Sequence, residues 1–497
     1  MAKLDRQAVK GKGRRLVRNL LLGALAAAAL WLILGNLDWH DPVLNLRPEV
    51  SLLGPRTEFV ADAGDPDSGL RDIRVIIRQD GQDKEVMQRA FPKPGGLFGS
   101  KGSRVTRQEI PFVLDARALG LKEGKATLKV QIHDHSWRNW FRGRTATVTR
   151  EVVLDLVPLE ISFLGISHLL KAGGTGAVAY RVSKPQAVSG VMVGEKFFPG
   201  FPMPGKASGE QVALVALPRG ASGTTKMELV ARDQSQEKRV PLPLKITPQR
   251  WRQDSLSISE GFVTQKVAEL KAAGLNLTPG LDPLEAYLEI NRKIREANHR
   301  KVQELCVKSR PERLWEGAFL RMPNSKPMAR FGDTRTYKWQ GKAVDRQVHL
   351  GEDLASLEKD TVPAANTGVV VLAEFLGIYG LTVILDHGWG VFSMYSHLSE
   401  IQVKVGDKVD KGNPLGRTGT TGLAGGDHLH FAIAVSGEFV NPVEWWDAHW
   451  IKDQVLLVAE GKAPAKPSAA LAAPKPGKKG ARKKASKPPK KPKRRPK

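Results

Sequence analysis

The sequence is poor in cysteine, with a single residue, Cys306, among 497. One thiol excludes an intramolecular disulfide framework and any metal site built from several cysteines. Hydrophobic residues make up 41% and charged residues 26% of the chain, which excludes a wholly disordered or collagen-like protein. At about 150 residues per domain, this length predicts about three domains.

Acidic residues are scarce at the two ends of the chain. The net charge of +26 is by itself typical of a nucleic-acid-binding protein. Residues 1–18 carry a net charge of +6 and residues 462–497 a net charge of +15, which leaves +5 for the 443 residues between them. Because the body of the protein is nearly balanced, no nucleic-acid partner is expected. Such a partner would require the apolar segment near the N-terminus to be a core helix.

Charge is also absent from residues 20–35, an apolar run of sixteen residues. The run is slightly shorter than the ~20 residues that span a bilayer, and its neighbours extend it to a predicted transmembrane signal-anchor at residues 19–37. Seven basic residues precede it and two acidic residues follow it, so the positive-inside rule predicts a cytoplasmic basic flank at residues 1–18. The expected location is the cell inner membrane, single-pass, with the chain after the segment periplasmic or otherwise extracytoplasmic. A cleaved signal peptide and a buried core helix are the alternatives.

Residues 462–497 contain fifteen Lys or Arg, eight prolines and one leucine. Such a stretch buries too little apolar surface to offset the entropy of ordering, so a disordered Lys/Pro-rich tail is predicted. Outside the membrane, its positive charge would attract anionic wall polymer or lipid. A solubilising tail without a specific partner is the alternative.

Short runs of alternating polar and apolar residues, separated by turn residues, fill the middle of the chain. Residues 73–82, 126–134 and 145–156 follow this pattern. They predict a β-sandwich-like domain of immunoglobulin type at residues 40–157. A second β-rich domain is predicted at residues 158–248, with one larger β-domain as the alternative.

A helical linker is predicted at residues 250–318. Asp282, Pro283 and Glu285 have the spacing typical of a helix N-cap, first position and third position. We expect the helix that they begin to act as a spacer or to pack against the domain that follows. Coverage of an active site is the less favoured alternative.

Potential metal ligands follow a specific spacing between residues 349 and 430, a stretch that holds five of the eleven histidines. His349 and Asp353 frame an H-x-G-x-D motif, in which the glycine disfavours a helix and a strand would place both side chains on one face. His428 and His430 are two residues apart, and His397 lies between the two motifs. Imidazole and carboxylate ligands suit zinc, and three ligands with an open position are typical of a catalytic site.

The order of these motifs resembles the LytM or lysostaphin-type zinc metallo-endopeptidases, which cleave peptide cross-links of bacterial peptidoglycan. The resemblance extends over about residues 331–446. It includes F-G-D-T-R at 331–335, H-L-G-E-D at 349–353, G-I-Y-G at 377–380, Y-S-H-L-S at 395–399, V-G-D-K-V at 405–409, G-R-T-G-T-T-G at 416–422, H-L-H-F at 428–431 and N-P at 441–442.

Carried over residue by residue, the resemblance implies that His349, Asp353 and His430 are zinc ligands. It also implies that His397 and His428 are the two catalytic histidines beside the metal. One Zn²⁺ per catalytic domain and peptidoglycan as the substrate follow from the same resemblance. No H-E-x-x-H motif occurs, so a histidine is expected to act as the general base.

The peptidase domain is predicted at residues 319–450, and Arg335 within it is a candidate for binding a substrate carboxylate, with a fold-holding salt bridge as the alternative. The predicted fold is therefore mostly β. It consists of a membrane-anchor helix, one or two immunoglobulin-like β-domains, a helical linker and a β-sheet LytM-type peptidase domain.

Two residues depart from the family pattern: Ala432, where Glu is common, and Asp427, where Pro is common. Neither position is a ligand or a catalytic histidine. The predicted function is a membrane-anchored zinc endopeptidase acting on peptidoglycan. A non-catalytic LytM-type scaffold that activates another cell-wall hydrolase is the alternative, and it is disfavoured because all three ligand positions and both catalytic positions are filled.

Overall fold

The computed structural model describes residues 6–36, 40–92, 104–242 and 245–462. Apart from Lys462, the predicted basic tail lies outside the described residues. Residues 1–5 of the predicted flank and residue 37 of the predicted anchor also lie outside them. Strands dominate the described part, so the prediction of a mostly β chain is confirmed.

Helix α1 (Arg6–Asn36) carries the segment predicted as the anchor. Its side chains are exposed from Leu16 to Trp31, whereas a core helix would bury them. None of the helices in the described ranges combines the length and the apolar character needed to cross a membrane. The structure therefore gives no support to the transmembrane segment predicted at residues 19–37.

The first β unit forms two sheets around one core. Its elements are β1 (Val43–Arg47), β2 (Leu52–Leu53), β3 (Arg56–Gly64), β4 (Leu70–Gln79), β5 (Gln82–Ala90), β6 (Arg107–Asp115), β7 (Gly124–Asp134), the single turn α2 (Arg138–Phe141) and β8 (Thr145–Leu154). The strands pair in the orders β1-β3-β6 and β2-β8-β7-β4-β5. Buried and less buried positions alternate along β7, so one face of its sheet enters the core. That core contains only residues of this unit.

The second β unit is a seven-stranded antiparallel sheet with a small parallel pair beside it. Its strands are β9 (Ile161–Ile166), β10 (Leu170–Lys171), β11 (Thr175–Val182), β12 (Val188–Val193), β13 (Lys196–Pro202), β14 (Glu210–Ala216), β15 (Met227–Arg232), β16 (Glu237–Pro241) and β17 (Ile246–Thr247). The order in the large sheet is β16-β15-β12-β13-β14-β11-β9, and β10 pairs with β17.

The C-terminal unit begins with β18 (Gln253–Ile258) and three helices, α3 (Glu260–Ala272), α4 (Pro283–Glu289) and α5 (Arg295–Leu305). Its further strands are β19 (Lys326–Ala329), β20 (Thr334–Trp339), β21 (Lys342–Val348), β22 (Glu352–Ala355), β23 (Thr361–Pro363), β24 (Gly368–Phe375), β25 (Leu381–Asp386), β26 (Val391–Leu398), β27 (Glu400–Ile401), β28 (Lys408–Val409), β29 (Pro414–Arg417), β30 (Leu429–Val435) and β31 (Glu438–Val440). The short helices α6 (Pro442–Trp445), α7 (Ala448–Ile451) and α8 (Leu457–Ala459) follow.

The central sheet of this unit has the order β19-β22-β30-β26-β25-β24-β28, with β31 beside β30. Two smaller sheets have the orders β18-β20-β21 and β23-β29-β27. Along β30, Phe431 and Ile433 belong to a core shared with the second β unit, whereas Ala432 and Ala434 face the core formed with helices α3–α5. By the same alternation, His430 lies on the face that the helices cover.

The second β unit and the C-terminal unit therefore share one hydrophobic core, although the sequence predicts them as separate domains. Polar contacts join them as well. Lys196 Nζ lies 2.7 Å from Glu438 Oε2, and the backbone N–H of Thr175 donates to Glu444 Oε2 at 2.8 Å. The first β unit, by contrast, keeps a core of its own.

The segment predicted as a helical linker packs directly on the central sheet. The predicted N-cap is confirmed, because Asp282 and Glu285 form a reciprocal capping box with Pro283 in the first turn. Helices α4 and α5 are joined by a π-helical turn, Ile290–Ile294, and together end at Leu305. Since their apolar side chains share a core with the sheet, these helices form a packing element and not a spacer.

Candidate metal centre

Two imidazoles and one carboxylate converge on the helix-covered face of the central sheet. Asp353 on β22 and His430 on β30 are direct partners in an antiparallel pair, and His349 precedes β22. His349 Nε2 lies 2.9 Å from Asp353 Oδ1 and 3.0 Å from His430 Nδ1, and His430 Nδ1 lies 2.9 Å from Asp353 Oδ1. We call these three side chains the metal trio.

Gly351 makes this convergence possible. A Cβ atom at this position would lie 2.6 Å from the carbonyl oxygen of Phe431 and 2.7 Å from His430 Nε2. Both distances are shorter than van der Waals contact allows, so a side chain here would push His430 away. The glycine of the H-x-G-x-D motif is therefore explained by close packing.

Neighbouring groups fix the orientation of the trio. His349 Nδ1 lies 3.0 Å from the carbonyl oxygen of Arg330; because a carbonyl only accepts, Nδ1 carries the proton and Nε2 is left as the ligand atom. Arg335 Nη2 donates to Asp353 Oδ2 at 2.7 Å, which leaves Oδ1 for the metal. Burial alone would raise the pKa of Asp353, but the imidazoles of His349, His428 and His430 around it hold it well below its usual value.

The trio fits zinc. Two imidazole nitrogens and one carboxylate oxygen are ligand types that zinc prefers, and all three donor atoms lie close enough to bind one ion. Three protein ligands leave a coordination position open, as catalytic sites require. The structure thus brings together all three residues that the sequence predicts as ligands.

The two remaining predicted histidines lie beside the trio, with ring centroids 4.9 Å apart. His397 Nδ1 is 2.8 Å from the carbonyl oxygen of Thr421, and His428 Nδ1 is 2.8 Å from that of Gly426. Both Nδ1 atoms are therefore donors, so each neutral ring has an unprotonated Nε2. His428 Nε2 lies 3.6 Å from Asp353 Oδ1.

An unusual backbone turns His397 towards the trio. Its φ of 63° is in the left-handed region, which non-glycine residues rarely adopt. The alternation of strand β26 breaks here, because Tyr395 and Leu398, three residues apart, both belong to the core shared with the second β unit. As a result the ring of His397 lies 5.8 Å from that of His430, and burial lowers the pKa of His397 well below its usual value.

A cavity of about 400 Å³ contains all of these groups and has two walls. We call the first the metal wall; it consists of Arg335, Tyr337, His349, Asp353, Ile378, Tyr379, His397, Leu423, Gly425, His428 and His430. The second, the helical wall, consists of Leu256, Ser257, Ile258, Ser259, Phe262, Tyr287 and Arg295. Parallel pairing of β18 with β20 joins the two walls, with Leu256 opposite Tyr337.

All six predicted site residues thus lie in one cavity, and Arg335 forms the salt bridge that was the alternative to substrate binding. Tyr379, whose ring is 5.6 Å from that of His430, lies in the G-I-Y-G motif, but that motif did not predict a role in the site. Arg295 and the other residues of the helical wall were not predicted either. No motif marks the helical wall, because its residues reach the site through contacts between distant segments.

Comparison with known proteins finds a family match for the segment that contains most of the metal wall. Residues 347–442 match the family model described as Peptidase family M23. The chain is 37% identical to the murein hydrolase activator EnvC of Escherichia coli over 95 residues. This match covers 19% of this chain and 23% of that protein. It is 38% identical over 96 residues to the peptidoglycan DD-endopeptidase ShyA of Vibrio cholerae, covering 19% and 22%.

A third relative is the DD-carboxypeptidase/endopeptidase Mpg of Neisseria meningitidis, 36% identical over 97 residues and covering 20% and 22%. The chain thus spans less than a quarter of the length of these curated relatives. Among solved structures, the catalytic domain of lysostaphin from Staphylococcus simulans is similar with 28% identity and a TM-score of 0.23, covering 26% of this chain and 98% of that chain.

The matched residues contain the metal trio, His397 and His428, whereas the helical wall lies outside them. Residues 347–442 of this protein are therefore a domain of peptidase family M23.

Proposed function

We propose that this protein is a zinc metallo-endopeptidase that hydrolyses peptide cross-links of bacterial peptidoglycan. The observation that carries the proposal is the metal trio with two histidines beside it, whose Nδ1 atoms both donate to backbone carbonyls. Two relatives are named as endopeptidases, ShyA and Mpg, and the first is named as acting on peptidoglycan.

The proposed mechanism divides the work among the residues of the metal wall. His349, Asp353 and His430 would hold the zinc ion, which would supply Lewis-acid polarisation of the scissile carbonyl and of a water molecule. His428 acts as the general base, because its Nε2 is free to accept a proton and Asp353 lies close enough to stabilise the charged ring. His397 accepts a hydrogen bond from the water and positions it. Arg335 holds Asp353 in its ligand orientation.

Hydrolysis of purified peptidoglycan tests this function. We expect the full chain to release peptide fragments, a chelator to abolish release, and added zinc to restore it. If the zinc-loaded chain leaves peptidoglycan intact, the endopeptidase proposal fails.

A second candidate is activation of another wall hydrolase, since one relative is named as an activator. The same assay with a purified wall hydrolase added distinguishes the two functions. An activator would increase release only when the hydrolase is present, and His430→Ala would not abolish that increase if the role were non-catalytic. We favour the endopeptidase because this chain retains the whole metal trio.

We further propose that α1 attaches the protein to the inner membrane, with the M23 domain outside the cytoplasm. Its support is the exposed apolar surface from Leu16 to Trp31, together with the positive charge that precedes it. Fractionation of cells expressing the full chain, or a chain without residues 1–37, tests this. Recovery of the full chain in the soluble fraction would contradict the proposal.

A further inference from the structure

The helical wall places a positive charge opposite the metal trio. Arg295 is half-buried at the start of α5 and lines the same cavity as the trio. Its guanidinium donates from Nε to the carbonyl oxygen of Asn291 at 3.1 Å and from Nη2 to Asn291 Oδ1 at 2.6 Å. Both partners are neutral, and no carboxylate among the described residues forms an ion pair with Arg295.

The charge of Arg295 reaches the groups beside the metal ligands. Burial, assisted by the charge of Arg295, lowers the pKa of His299 to about 3. The ring of His299 lies 5.9 Å from that of Tyr379, which in turn lies 5.6 Å from that of His430. Arg295 and the metal trio thus line the same cavity, one from α5 and the other from the central sheet.

The formal charges that line the cavity do not balance. Arg295 and Arg335 are cationic, whereas Asp353 is the sole carboxylate in the lining and is paired with Arg335. A divalent ion bound by the trio adds further positive charge. An unpaired charge in a partly buried site is unfavourable unless an anion compensates it, so the cavity favours an anionic ligand.

The anion would lie near the reacting groups. Arg295 and the metal trio line one cavity of about 400 Å³. A carboxylate bound by Arg295 would therefore lie close to the bond that is placed at the metal.

We propose that Arg295 binds a substrate carboxylate close to the scissile bond and so selects carboxylate-bearing cross-links over uncharged peptide bridges. This inference rests on the proposed endopeptidase function. The substrate class is a cross-link whose diamino acid carries a carboxylate on the carbon next to the scissile amide nitrogen. A bridge of glycines lacks such a group, and a guanidinium has no partner in it.

The test uses the zinc-loaded full chain and two synthetic cross-linked peptides that differ only in this group, a carboxylate in one and a carboxamide in the other. The variants are Arg295→Gln, which removes the charge, and Arg295→Lys, which keeps it. Arg300→Gln is the matched control, because Arg300 lies on the same helix, is exposed and pairs with Glu296 outside the cavity. The readouts are kcat/KM for both peptides and the affinity for the amine-side cleavage product, with carboxylate or carboxamide, by calorimetry.

We expect the wild type to prefer the carboxylate peptide and its product by roughly tenfold or more, the effect typical of a hydrogen bond to a charged group. Arg295→Gln should reduce both preferences to within about twofold through loss on the carboxylate compounds alone, and Arg295→Lys should keep part of them. Arg300→Gln should behave as the wild type.

The inference is overturned if the wild type shows no preference or if Arg295→Gln keeps it. If the wild type cleaves neither peptide, the endopeptidase proposal fails, and calorimetry with the two products still decides whether Arg295 binds a carboxylate. Should Arg295→Gln unfold, Arg295→Lys and the wild-type preference decide the question.

Discussion

The two walls of the cavity differ in how the sequence specifies them. The metal wall lies mainly within the M23 domain, and short motifs place its histidines and carboxylate on strands of the central sheet or directly before them. The helical wall comes from residues 256–295, outside the matched family, and contains no motif. We therefore expect substitutions in the two walls to have different effects.

Substitutions in the metal wall should lower activity more than substitutions in the helical wall. Replacement of His430 by alanine removes a ligand, so we expect loss of bound zinc and a fall in peptidoglycan hydrolysis of about a thousandfold or more. Metal analysis and fragment release measure the two effects. The exposed His449 offers a matched control, His449→Ala, that should leave both unchanged.

Within the metal wall, the general base should be separable from the ligands. His428→Ala should lower kcat by about a hundredfold to ten-thousandfold, the usual contribution of general base catalysis, while zinc stays bound. Steady-state kinetics together with metal analysis check this. Loss of zinc from His428→Ala would show instead that His428 acts as a ligand.

Loss of the contact between helix α3 and the segment beside His397 should lower activity less than loss of a metal ligand or of the general base. Lys266 on α3 is buried and donates to the carbonyl oxygen of Thr420 at 3.0 Å, next to the carbonyl that orients His397. Lys266→Met should therefore lower kcat about tenfold, the effect typical of residues that orient a metal site, without loss of zinc. Lys271→Met, on the exposed side of the same helix, is the control. Equal kcat in the two variants would mean that the helix does not orient His397.

On the opposite face of the central sheet, a substitution of Glu444 should affect stability and not catalysis. Burial raises the pKa of Glu444 to about 7, although the backbone N–H of Thr175 opposes the shift. The folded state thus holds a proton more tightly than the unfolded state, so stability should fall as pH rises from about 4.5 to about 7, by at most roughly 3 kcal/mol. Glu444→Gln should remove this component of the pH dependence of Tm. An unchanged slope between pH 5 and pH 8 would contradict this origin.

The metal trio is predictable from the sequence because its information is local. An H-x-G-x-D spacing and an H-x-H spacing each bring together a histidine just before a strand and a ligand on that strand, and one antiparallel register then joins Asp353 to His430. The capping box at Asp282 is local in the same way. The helix it begins is therefore predictable, although its packing partner is not.

The helical wall and the shared core are not predictable in this way. Arg295 approaches the cavity because α5 packs on strands more than 50 residues away in sequence, and no periodicity encodes that contact. The second β unit likewise buries its apolar face against β30, so its pattern of alternation looks the same as that of a separate domain. Placement of His397 depends on a positive φ that residue type does not reveal.

Mass spectrometry of peptidoglycan fragments released by the full chain, beside those released by His430→Ala, tests the central claim most directly. We predict that the wild type releases peptides cut at the cross-link, with a free carboxylate next to the newly exposed amine, and that His430→Ala releases none. Identical fragment profiles from the two proteins would contradict the account.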